Sequence, residues 1–151
     1  MTGFATPEDA ALAGSQPAHC RIVAVARDGA DAYVLLDTGS PGRAYLYGVV
    51  CRNDGDGWQE MMSSNGGGWS LTDEKTGLGV HTLWDEVPAD ADQVRIEFRG
   101  ESSEHPIAGG LYFFAWFNQP IGAERRVAAI RVAGQWVGQF NGLSPMLWTR
   151  S

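Results

Sequence analysis

The chain has 151 residues, 44% of them hydrophobic and 19% charged, with a net charge of −7. That is enough apolar side chain for one domain or two small packed subdomains, and too little charge for a disordered chain. Its cations are almost all arginine, with Lys75 the only lysine, and their scatter excludes the basic face of a nucleic-acid binder and argues against an anionic membrane as partner.

The opening segment predicts a short helix. Thr6 is a good N-cap, Pro7 suits the first helical position, and Glu8 and Asp9 sit where the helix dipole favours anions. Ala10 to Ala13 propagate it and Gly14 stops it, with Leu12 and Phe4 as the side chains it can bury.

The period then changes to that of strands. Residues 21–27 and 32–37 flank Asp28-Gly29, a hairpin signal, and Gly39 to Gly42 form the next turn. A third strand is expected over 43–52 and a fourth over 58–63, with the turn Asn53 to Gly57 between them. Consecutive strands of this kind form an antiparallel meander. Its turns place Cys20 near Asp37 and Cys51 near Asp31, at opposite ends of the sheet, so both thiols are expected to be free.

Gly66, Gly67 and Gly68 break the pattern. Residues 69–92 read as a connection anchored by Val80, Leu83 and Trp84. Val94, Ile96 and Phe98 then alternate with charged residues, as in a half-buried strand, and Pro106-Ile107 extend an edge. Leu111 to Phe117 is apolar on both faces and is expected to be a central strand. Two further strands, 126–132 and 135–140, lead to a tail whose Leu143, Met146, Leu147 and Trp148 argue for docking on the body.

Together these elements predict a mostly β protein: a short helix plus four-strand meander over 1–68, a connection over 69–92, and a β subdomain over 93–151. The longest apolar run is far below the roughly 20 residues that span a bilayer. No signal-peptide-like stretch precedes Arg21, so the cytoplasm is the expected location.

Two segments resemble known groups. The capped helix and hairpins resemble part of an NTF2-like cone. Tyr47-Gly48-Val49-Val50-Cys51, Gly57-Trp58, Ser64-Asn65-Gly66 and Gly68-Trp69 resemble a pattern in uncharacterised high-GC bacterial proteins. Residues 94–98, 110–116 and 127–132 resemble the immunoglobulin-like end of those proteins. The resemblance implies an immunoglobulin-like sheet for the second half and no activity.

Several constellations bear on function. Asp37-Thr38-Gly39-Ser40, preceded by Leu35-Leu36, resembles the catalytic loop of aspartic proteases, whose chemistry needs two such aspartates and hence a homodimer here. Pro41 follows at once and the family's later element is missing, so Asp37 reads as a turn residue in an ordinary exposed position. Asn53 to Gly57 has calcium-like composition, but Glu60 has the wrong offset and a hairpin turn demands the same residues. His19, His81, His105, Cys20 and Cys51 show no metal spacing, and no cofactor motif is present. Glu101, Glu104 and His105 read as a solvated turn.

Of the six tryptophans, Trp116 and Trp136 fall within strands and are expected in the core. Trp69, beside Ser64 and Asn65, is the candidate accessible aromatic for binding. The favoured function is a non-catalytic binding or interaction protein, for instance an acidic binder of a protein partner such as an immunity protein. The alternatives are a hydrolase using Asp37 in a homodimer and a carbohydrate- or small-ligand-binding β module using its tryptophans.

Overall fold

A computed structural model describes residues 3–14, 20–39 and 45–138. The helix α1 (Pro7–Leu12) starts where the capping residues place it, and Thr6 Oγ1 accepts a hydrogen bond from the Asp9 amide at 3.1 Å. It buries Pro7, Ala10 and Ala11, whereas Leu12 and Phe4 are exposed. Small side chains let the helix lie close to the sheet beneath, which turns Leu12 outward.

The meander forms as expected. Strands β1 (Arg21–Asp28), β2 (Asp31–Asp37), β3 (Leu46–Asn53) and β4 (Trp58–Ser64) pair antiparallel in sequence order. The turn at 40–44 lies outside the described residues, as does the tail from 139. Cys51 faces Ala32 in the register and Cys20 precedes the Arg21–Asp37 pair, so both thiols are free at opposite ends of β2.

Residues 69–92 overturn the expectation of a connection. They fold into β5 (Trp69–Asp73) and β6 (Leu78–Glu86) and enter β7 at Ala91. The acids, threonine and glycine that dilute the pattern make the hairpin turn: Asp73 Oδ1 accepts from the Lys75 amide at 2.9 Å, and Gly77 has φ of 72°. Gly79 sits inside β6 because any Cβ there would collide with the Ser70 carbonyl on β5.

The other strands are β7 (Ala91–Phe98), β8 (Glu101–Pro106), β9 (Leu111–Gln119), β10 (Arg125–Val132) and β11 (Gln135–Gly138). One sheet runs β5-β6-β9 and another β11-β10-β7-β8. Glu101, Glu104 and His105 therefore lie on the edge strand β8, not in a turn, and Glu104 pairs with Arg95 at 2.7 Å.

The described chain stacks in layers. Period-2 alternation sends Ala32, Val34, Leu36, Val49 and Cys51 toward α1, and Tyr33, Leu35 and Val50 toward Val80 and Trp84 of the second sheet. All of β2 is buried as a result. The second sheet's other face meets the third, where Tyr112, Phe114 and Trp116 pack with Val94, Ile96, Val127 and Ile130. Strand β9 is thus an edge strand and not a central one. Its unbroken apolarity reflects its middle layer, with Leu111, Phe113, Ala115 and Phe117 facing the first sheet. Trp136, expected in the core, is exposed on β11 under the Arg95 guanidinium, 4.2 Å from its ring centre. Among the described residues no helix is long and apolar enough to cross a membrane.

Candidate functional site

A cavity of about 450 Å³ opens where the second and third sheets end together. Trp69, His81, Glu97, Arg125, Arg126 and Ile121 are among the side chains around it. Register brings the first two together, since Trp69 on β5 faces His81 on β6 and their rings lie 6.5 Å apart. Both rings are tied to the chain leaving β9. Trp69 Nε1 donates to the Gln119 carbonyl at 2.9 Å, and His81 Nε2 bonds the Pro120 carbonyl at 2.8 Å.

The triple glycine shapes the same corner. The Thr82 amide donates to the Gly68 carbonyl at 2.8 Å, and a Cβ on Gly67 would come within 2.9 Å of the Thr82 carbonyl. No larger residue fits between Trp69's strand and β6 at this point.

The site's electrostatics turn on His81 and Arg125. His81 is 2% exposed. Burial holds it below the usual histidine range, and the Arg125 charge adds to that, against the Pro120 carbonyl pulling the other way. A carbonyl only accepts, so Nε2 carries the proton and Nδ1 is a bare acceptor, with no partner among the described residues. Arg125 is half-buried, and burial lowers its pKa from the ordinary value. Its Nε donates to the Thr82 carbonyl at 3.0 Å. Among the described residues it has no carboxylate partner, although Arg21, Arg52, Arg95, Arg126 and Arg131 all do. At the rim Glu97 is saturated by Arg126, at 2.8 and 3.1 Å.

Trp69 lines this cavity, but Ser64 and Asn65 do not. Ser64 Oγ instead donates to the Gly66 carbonyl at 2.7 Å, and Asn65 is exposed. Sequence reasoning missed His81, Arg125 and the Glu97–Arg126 pair. They come from three strands far apart in the chain, and no local spacing announces them.

Asp37 stands apart from the cavity. Its Oδ1 accepts from the amides of Gly39 at 2.8 Å and Tyr45 at 3.0 Å, and its Oδ2 from Arg21 at 3.1 Å. These bonds close a turn, as expected, but the residue is 7% exposed and so not in an ordinary exposed position. Thr38 bonds the Tyr45 carbonyl through its amide at 2.8 Å, pinning the other side of the turn. Pro41 lies outside the described residues. At Asn53 to Gly57, Asn53 and Asp54 accept from the amides of Gly55 and Asp56 at 2.9 and 3.0 Å, so their oxygens serve the turn itself. Among the described residues no group of three His, Cys, Asp or Glu could hold a metal ion.

Comparison with protein-family models, with curated proteins and with solved structures found no match.

Proposed function

We propose that the protein is a non-catalytic binding module and that its site is the cavity beside Trp69. The observation that carries this reading is the meeting of three features in one cavity: an indole wall, a buried imidazole and a guanidinium with no carboxylate partner among the described residues. A cavity of this size with a few convergent polar groups is the usual form of a small-molecule site. It favours the small-ligand alternative over a hydrolase, since Asp37 has both oxygens engaged in its turn. The immunoglobulin-like arrangement of the second half belongs to the same proposal, and the facing antiparallel sheets around Val94 and Ile130 support it.

The test is a titration of isotope-labelled protein with a panel of small neutral and anionic compounds, followed by NMR. Saturable shifts confined to Trp69, His81, Gly122 and Ala123 are expected with at least one compound. A panel that moves none of these signals rejects the reading.

A protein partner is the second reading. Met61 and Met62 are exposed on β4, at the edge of the first sheet, and favour it. A partner that binds the wild type and is lost from the M61S/M62S double variant would establish that form of binding.

A further inference from the structure

We infer that the ligand of the Trp69 cavity is a small organic carboxylate, its carboxylate received by Arg125 and its apolar body by Trp69. This rests on the cavity being a binding site.

The first ground is the guanidinium. Burying a cation is costly unless an anion compensates it. Five of the described arginines, exposed ones among them, pair with Asp or Glu. Arg27 lies over the Trp58 ring at 5.0 Å, and Arg99 donates to Gln119 Oε1 at 3.1 Å. Arg125 alone among them combines half-burial in a cavity wall with a carbonyl as its one partner. Its Nε is committed to Thr82, which leaves the terminal nitrogens for two oxygens borne on one atom.

The second ground is independent of charge. Trp69 lines the same cavity, with its Nε1 held by the Gln119 carbonyl at 2.9 Å and its ring 6.5 Å from that of His81, so an aromatic face is fixed in the wall it shares with Arg125. Such a face receives the apolar body of a ligand.

Charge balance selects a monoanion. Glu97 and Arg126 neutralise one another at the rim, and Glu124 is exposed and screened by solvent. One half-buried positive charge matches one carboxylate. A dianion such as a phosphate ester would leave one negative charge unmatched in a protein whose net charge is already −7.

Mandelate is the probe, with mandelamide as its neutral counterpart. The readout is the indole N–H resonance of Trp69, assigned with Trp69→Phe. Mandelate should bind at least about tenfold more tightly than mandelamide, as expected for hydrogen bonds to a charged group. Arg125→Gln should weaken mandelate by at least about tenfold and leave mandelamide unchanged. Arg125→Lys, which retains a charge but not the fork, should fall between and controls for misfolding of the first variant. Equal binding of mandelate and mandelamide, or indifference to Arg125→Gln in a folded protein, overturns the carboxylate assignment but leaves the cavity a site. No shift with any probe or with the broader panel overturns the binding reading itself.

Discussion

The indole N–H of Trp84 donates to the phenolic oxygen of Tyr33 at 2.8 Å, a polar bond that crosses from the second sheet to the first inside an apolar layer. Tyr33→Phe would leave the Trp84 donor buried and unmade, at a cost of about 1–3 kcal/mol. Trp84→Phe made on that background should then cost less than on the wild type, because the bond is already gone. Urea unfolding of the four proteins measures the difference. Strict additivity would show that the bond contributes nothing.

Gly48 on β3 leaves room for that phenol. A Cβ there would run into the Tyr33 ring and its oxygen, and both residues are buried. Gly48→Ala is expected to destabilise by about 1–3 kcal/mol through overpacking. A variant as stable as the wild type in thermal unfolding would mean that Tyr33 moves aside freely.

The Asp37 turn should be sensitive to more than a simple exposed substitution. Burial raises its carboxyl, but the amides of Tyr45 and Gly39 and the Arg21 charge outweigh this and hold it below the ordinary range. Asp37→Asn retains one acceptor and points an amide at Arg21, so a loss of about 1–3 kcal/mol is expected. The carboxylate's contribution is fully present above its unfolded value of about 3.9 and is lost as pH falls through the lower folded one. Stability curves of the two proteins should therefore converge as pH falls below that folded value. A constant gap down to pH 2 would argue against the assignment.

His81 acts in a different window. Its folded value lies below the usual one, so the unfolded chain takes up the proton first. Its contribution is intact above about pH 6.5 and declines as pH falls from there through the lower folded value. His81→Gln should flatten the stability slope between pH 7 and 5. Asp85 and Glu86, whose carboxyls burial raises, titrate alike in both proteins and cancel in the comparison. An unchanged slope would mean that His81 titrates alike in the folded and the unfolded chain.

Burial, with Glu60 and Glu8 nearby, pushes the Cys51 thiol up to about 12, whereas Cys20 is half-buried. At pH 8 a thiol reagent should modify Cys20 in the native protein and reach Cys51 only when the chain opens. In Cys20→Ser the fast phase should vanish. Rapid labelling of Cys51 in that variant would contradict its burial under α1.

The first half of the fold was legible because each strand there has its own turn signal. Thr6-Pro7 starts the helix, Asp28-Gly29 and Asn53 to Gly57 fold the hairpins, and pairing follows sequence order. The β5–β6 hairpin was not legible, because Gly79 breaks the strand pattern for a reason that lies on the neighbouring strand. Leu111 to Phe117 was recognised as covered on both faces, yet apolarity alone does not separate the centre of a sheet from the middle of a stack. The cavity was least visible. Trp69 stood out by its glycines, but His81 and Arg125 acquire meaning only when β6 and β10 meet.

The full burial of β2 bears on how the chain could be divided. A break after Gly68 would cut through the layering and not through a linker. The N-terminal piece would expose Tyr33, Leu35 and Val50 as a bare apolar wall, while the C-terminal piece would lose the cover over Val80 and Trp84. Two such fragments would each be sticky alone and complementary to one another, so co-expressed halves should reassemble where either half alone aggregates.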